Sequence, residues 1–427
     1  STDRFGDVSW NEHRALGVAA LLAPVFAVSP SFWVMRIWLS LVSTVALALG
    51  FGAWRRSIGH GAALAMATFA TSWVVLFYGS EASPNLFVAA CAVGAVGLVE
   101  SRASPVPTKL LAFAVALAVL FRPSDGFVLA AGIVGYAVVC RTADSRRSIA
   151  AAAGFGAIAG FLPWVVDAWI LFNGPIDRWR AASEIVDGGL QWQFMNHLRL
   201  LDGPITGPDT TGSIQIVFVV VLLVPMTIAI TGLKSSRRSQ VGVALTFALV
   251  FVTPYLVYVG SSAPRFLLPA FALLAVAAGA SWERLMVRSP PVAAAVTAVV
   301  VACIAVSASH ASLVEGEQVL RRSEFVEVAA HVQTISGGAP CHLLTQYGIP
   351  QMALTSGCIT ERLLIDTSAC QVAALPPDAG VVIVAAVGAI PSALETAIVP
   401  PTLEGPISWK VADVNQTAAQ CTASEGG

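Results

Sequence analysis

The chain has 427 residues, 56% of them hydrophobic and 11% charged, with a mean hydropathy of +0.76 and a formal net charge of −1. Soluble domains carry roughly 25% charged residues, so these figures exclude an ordinary water-soluble fold and describe an integral membrane protein of the helical kind. The near-neutral balance gives no footing for a nucleic-acid partner.

The first stretch, residues 1–14, is polar and holds Asp3, Asp7 and Glu12. The apolar segment that follows, 15–29, is interrupted by Pro24 and ends just before Ser29-Pro30-Ser31. A spanning helix needs about 20 apolar residues, so a segment this short is expected to lie along the membrane surface. Ten apolar runs then follow, at 33–54, 58–78, 85–100, 108–121, 126–141, 148–172, 214–233, 239–259, 265–282 and 291–309.

The connections alternate in charge. Arg55/Arg56, Arg102/Lys109, Arg141/Arg146/Arg147, Lys234/Arg237/Arg238 and Arg284/Arg288 place twelve basic residues in every second loop. The other loops hold only Arg122, Arg178, Arg180, Arg199 and Arg265. Excess Lys and Arg marks the cytoplasmic side. The expected protein is therefore a multi-pass plasma-membrane protein with the start of the 33–54 run, and everything after residue 310, outside. With 15–29 on the outer surface, Asp3, Asp7 and Glu12 face outward, and a further membrane helix is expected upstream of Ser1.

Under this topology the outer loops gather carboxylates: Glu81, Asp125, Asp167, Asp177, Glu184, Asp187, Asp202 and Asp209, against Glu100, Asp144 and Glu283 inside. Residues 311–427 are different in kind. A polar helix-like stretch near 316–335 leads into short apolar runs, among them 381–387 and 407–414, the pattern of a small α/β domain. Of the seven cysteines, Cys91, Cys140 and Cys303 are expected as small buried residues in or beside helices. Cys341, Cys358, Cys370 and Cys421 are expected to staple the terminal domain in an oxidising compartment, with three pairings open. The expected organisation is thus an outer loop and juxtamembrane helix (1–32), an all-α transmembrane module (33–310) and an extracytoplasmic α/β domain (311–427).

There is no Walker loop, no dinucleotide fingerprint, no His pair at metal-binding helical spacing and no nucleophile elbow. An outward site without soluble nucleotides must draw an activated substrate from the membrane, and a lipid phosphate carrying a sugar meets that requirement. Sugar transfer to a hydroxyl needs a carboxylate to take the acceptor's proton. It also needs cations to hold the leaving phosphate, a task suited to arginine's planar fork. Arg122 and Arg265 stand at the depth of a lipid head group. Asp167, inside an apolar helix, is a candidate because an intramembrane carboxylate is costly.

This order of parts resembles the GT-C glycosyltransferases, polytopic enzymes that use polyprenyl-phosphate sugars. The acidic stretch from Asp7 to Arg14, the segment 15–29, Arg36 and Arg55/Arg56 follow the family's first outer loop and the helices after it. Phe121-Arg122-Pro123 looks like its Arg-Pro at an outer helix end, and Arg265-Phe266-Leu267-Leu268-Pro269 looks like its Arg-aromatic-Leu-Leu-Pro. The resemblance covers roughly residues 1–310 and departs from the family in lacking an adjacent Asp-Glu pair, which leaves the general base between Asp7 and Asp3. It implies an inverting transfer, with or without a divalent metal, with Arg122 and Arg265 on the donor phosphate. Glu81, Asp125 and Asp167 would serve as substrate or metal ligands. The sugar implied is a hexose, mannose first, with a pentose open; the acceptor would be a cell-envelope glycan, lipid or protein. The rival readings are a transporter or lipid flippase, disfavoured by the lack of an internal repeat, and a non-catalytic envelope assembly protein.

Overall fold

The computed structural model describes residues 15–29, 31–101, 106–185, 192, 224–233, 238–257, 259, 263–339, 341–345, 356–362, 381–387, 398–399 and 409–413. Asp3, Asp7, Glu12, Asp187, Asp202, Asp209, Cys370 and Cys421 lie outside these residues. The chain divides into two compact units, Glu12–Val314 and one that contains Glu315–Gly427.

The first unit is helical: α1 (Leu16–Val28), α2 (Phe32–Gly52), α3 (Arg55–Ile58), α4 (Gly61–Ala70), α5 (Trp73–Tyr78), α6 (Pro84–Glu100), α7 (Thr108–Phe121), α8 (Pro123–Cys140), α9 (Ala143–Leu171), α10 (Pro175–Ile185), α11 (Val224–Leu233), α12 (Arg238–Val257), a 3-10 turn (Pro264–Leu267) and α13 (Leu268–Arg288). The last helix, α14 (Pro290–Ser336), begins in this unit and runs for 47 residues. Among the described residues six helical stretches are long and apolar enough to cross a membrane: Trp33–Gly52, Pro123–Cys140, Ala143–Leu171, Arg238–Val257, Pro264–Trp282 and Pro290–Gly316. α1, α4, α6 and α7 are shorter apolar helices. The protein is a multi-pass membrane protein.

Its surface pattern fits an apolar solvent. On α2 the exposed residues Trp33, Ile37, Leu41, Val45 and Leu49 recur every four positions, one stripe along one helical face. On α9, the exposed residues Phe155, Ile158, Leu162, Val166 and Trp169 recur every three or four positions and form a similar stripe. A stripe of this size facing water would drive association; facing acyl chains it costs nothing.

Two helices are instead buried on nearly every side. α6 hides all but a few of its residues, and the Pro264–Trp282 stretch is 89% buried. Lipid supplies no hydrophobic drive for helix association, so close backbone approach through small residues does that work. Gly61 of α4 meets Gly279 of α13, and Gly50 of α2 meets Ala90 of α6. α9 lies on α7 through Gly156 and Gly160, four residues apart, against the carbonyls of Ala112 and Ala116. The α2–α6 contact is pinned by buried Trp54, whose Nε1 donates to the Val93 carbonyl at 2.9 Å.

Three expectations change. The run 58–78 is not one helix. It breaks at Thr71 and Ser72, where the backbone of Ser72 turns extended (φ −66°, ψ 144°) before α5 begins, and the two hydroxyls donate to the carbonyls of Ala67 and Phe69 at 2.7 Å each. The last apolar run does not end its helix at 309: α14 continues to Ser336. Cys140, at the end of α8, is exposed rather than buried, while Cys91 and Cys303 are half-buried.

In the second unit a five-stranded sheet, ordered β2-β1-β3-β5-β4, comprises β1 (Cys341–Thr345), β2 (Ile359–Arg362), β3 (Val381–Val387), β4 (Ile398–Val399) and β5 (Trp409–Asp413). β1 pairs parallel with β2 and β3, and β5 runs antiparallel between β3 and β4. Phe325, Val328, Ala329, Val332 and Ile335 of α14 form one apolar cluster with Cys341, Leu343, Cys358 and Ile383. Of the pairings left open, the structure shows Cys341–Cys358.

Two outcomes follow from this packing. Gly160→Ala pushes a methyl into the Ala116 backbone and is expected to destabilise by about 1–3 kcal/mol, as overpacking does. Gly154→Ala, where a Cβ meets nothing within 4 Å, is expected to leave the detergent melting temperature unchanged or raised. The bridge between residues 341 and 358 closes a loop of 17 positions, so Cys358→Ser is expected to lower the stability of the sheet unit by about 3 kcal/mol, read as faster proteolysis of that unit.

Candidate functional site

Prolines build one end of the bundle. The residue before a proline is biased away from the helical region, and proline itself is at home at the first helical position. Arg122, before Pro123, is extended (φ −156°, ψ 99°) and serves both as the C-cap of α7 and the N-cap of α8. Ser83 before Pro84 and Ala263 before Pro264 are likewise extended and start α6 and the 3-10 turn. Short connections thus present Asn85, Arg122 and Arg265 together.

Arg122 sits among four elements. Its Nη1 donates to Asn85 Oδ1 of α6, and its Nε lies 3.4 Å from Asp125 Oδ2, one turn on in α8. The Tyr255 hydroxyl of α12 donates to Asp125 Oδ1. The guanidinium carbon lies 4.6 Å from the centre of the Phe266 ring and 5.5 Å from that of Tyr255. These two rings stack on each other at 5.4 Å, inclined by 16°.

Arg265 reaches the same ring, its guanidinium carbon 5.2 Å from the centre of Phe266. On its other side it donates to the Tyr78 hydroxyl at 3.4 Å. The segment after Tyr78 carries Ser80 and Glu81, which meet Arg36 of α2 at 2.9 and 3.5 Å. The described residues of this band bring three guanidiniums, of Arg36, Arg122 and Arg265, against the two carboxylates of Glu81 and Asp125. The balance favours an anion.

The structure therefore assembles Arg122, Arg265, Asp125 and Glu81, four of the residues singled out from the sequence. Asp167 is placed differently. It joins Arg178 of α10 at 2.6 Å, and the Arg178 side chain is wholly buried, donating also to the Trp164 carbonyl at 3.2 Å and lying over the rings of Trp164 and Phe172. This pair ties α10 to the end of α9. Asp7 and Asp3 lie outside the described residues. However, α1 seats against this end: Gly17 packs on Phe121, the neighbour of Arg122, and Trp38 Nε1 donates to the Leu21 carbonyl at 3.1 Å.

Tyr255, Phe266 and Asn85 complete the site without having been singled out. Tyr255 and Phe266 sit in apolar runs, where an aromatic reads as packing; the signal was Phe266's position beside Arg265. Among the described residues no group of three His, Cys, Asp or Glu could hold a metal ion. A separate apolar cavity of about 230 Å³ lies between α4, α11, α13 and α14, lined by Phe69, Ile228, Phe271, Trp282 and Ile304 among others.

No family model matches the chain, and no curated protein matches it. Among solved structures, the crystal structure of ArnT from Cupriavidus metallidurans bound to undecaprenyl phosphate is similar. The TM-score is 0.63 at 12% identity, covering 94% of this chain and 88% of that one. The chain shares that fold along nearly its whole length.

The Asp167–Arg178 pair has its own expected outcome. Asp167→Ala removes the carboxylate from a buried guanidinium, and breaking such a pair costs about 3–5 kcal/mol. A large fall in detergent melting temperature is expected.

Proposed function

We propose that the protein is a membrane glycosyltransferase that takes a sugar from a polyprenyl-phosphate donor and moves it to a hydroxyl of a cell-envelope acceptor. The observation that carries this reading is the convergence of Arg122 and Arg265 on the Phe266 ring. The sequence singles out these two arginines as phosphate ligands from separate stretches, and the fold brings them to one place. Sharing its fold with a protein that binds undecaprenyl phosphate supports the same reading.

In this reading the two guanidiniums hold the donor phosphate at the membrane surface. The acceptor oxygen attacks the anomeric carbon, the bond from that carbon to the phosphate oxygen breaks, and the phosphate leaves with the electron pair, stabilised by the arginines. A carboxylate takes the acceptor's proton. Asp7 or Asp3 serves as that base. Glu81, 22% exposed beside Arg36, is the carboxylate of the band open to a substrate hydroxyl or a divalent cation. The apolar cavity is suited to an isoprenoid or acyl chain. The active end and the sheet domain face outward by the loop charges, across ten membrane crossings, and hexose transfer, mannose first, is the specificity proposed.

The test is sugar transfer by the full-length protein in lipid, offered a panel of labelled polyprenyl-phosphate hexoses and pentoses with an envelope extract as acceptor. Transfer by wild type is expected to fall by about 10²–10⁴-fold in Asp7→Asn, while Arg265→Ala weakens donor binding. Loss in Asp3→Asn instead moves the base to Asp3. Absence of both transfer and donor binding across the panel overturns the reading in favour of transport or assembly.

A further inference from the structure

We infer that Asn85, Asp125 and Tyr255 are positioning residues that aim the Arg122 guanidinium at the anion, an inference that rests on the phosphate-binding role proposed for Arg122. The three come from α6, α8 and α12, and none touches the anion. Asp125 and Tyr255 are each 3% exposed and Asn85 is 2% exposed. The Arg122 side chain they surround is 22% exposed. The cation is thus the one member of the group with an open face.

The fork is also used unevenly. Nη1 is taken by Asn85 and Nε is paired with Asp125, whereas Nη2 makes no hydrogen bond or ion pair among the described residues. Arginine's five donors lie in one rigid plane, so fixing Nε and Nη1 from behind fixes where Nη2 points. Phe266 and Tyr255 hold that plane by stacking. Asp125 is in turn held by the Tyr255 hydroxyl, leaving its Oδ2, which has no hydrogen bond, beside Arg122 Nε. Flexible arginine would otherwise lose rotamer freedom on binding each anion. Here that cost is met during folding.

Tyr255→Phe removes one hydroxyl and keeps the stacked ring. Asn85→Ala removes the Nη1 acceptor from a different helix. Binding of undecaprenyl phosphate to the full-length protein in nanodiscs is measured for each variant, alone and combined with Arg122→Lys, beside the melting temperature. Each single variant is expected to weaken binding by about 3- to 10-fold, the effect of one buried hydrogen bond. In the Arg122→Lys background neither is expected to change affinity by more than about twofold, since side chains that act through one another are not additive. A loss that persists undiminished in the Arg122→Lys background, or a lowered melting temperature with wild-type affinity, assigns these residues a structural role and overturns the inference. Wild type that binds no undecaprenyl phosphate overturns the phosphate-binding reading itself, a result separate from either.

Discussion

A residue that precedes proline is disfavoured in a helix, and at three positions this preference, expressed as extended backbone, shapes the end of the bundle on which the rest of the site depends. At Arg122 it ends α7 and starts α8 with a single residue between them. Two helices joined so tightly must run back against each other, and the residue at the joint must stay at the bundle end. The same constraint at Ser83 and Ala263 starts α6 and the 3-10 turn. Backbone chemistry, rather than any property of the arginines, sets where the arginines stand. Their partners then follow: a guanidinium next to apolar helices requires acceptors, and Asn85 and Asp125 provide them from helix first turns.

Two arginine–carboxylate pairs in this fold look alike on paper and differ in use. Arg178 is wholly enclosed, with Asp167, the Trp164 carbonyl and two rings around it. Such an arrangement holds α10 to α9. Arg122 has comparable partners on one side and an open face on the other. The identity of the pair does not separate a tie from a site; exposure does.

The membrane class, the helical runs and the two arginines were legible because each is a local property. Composition shows the class, runs of apolar residues show the helices, and Arg-Pro or Pro-Arg shows a charged residue at a helix end. What depends on distant residues was not legible. Asp167 drew notice as a carboxylate in an apolar helix, but its partner Arg178 lies eleven positions away across a turn. Tyr255 carries no charge, and its link to Asp125 spans 130 positions. The break at Thr71 and Ser72 was hidden because two small polar residues inside an apolar run barely mark its hydropathy. The choice of Cys341–Cys358 among the pairings required the sheet, which sets β1 beside β2.

The division of labour among the acids follows from the same geometry. A general base must reach the acceptor hydroxyl, and a carboxylate that orients a cation must stay where it is. Asp125 is 3% exposed and bound on both sides, by Arg122 and Tyr255, so it suits the second task and not the first. Asp167 is committed to Arg178. Glu81 faces Arg36 and keeps part of its surface open. Of these three carboxylates Glu81 is the most exposed, its side chain at 22% against 13% for Asp167 and 4% for Asp125, so it has the most room to meet a second group.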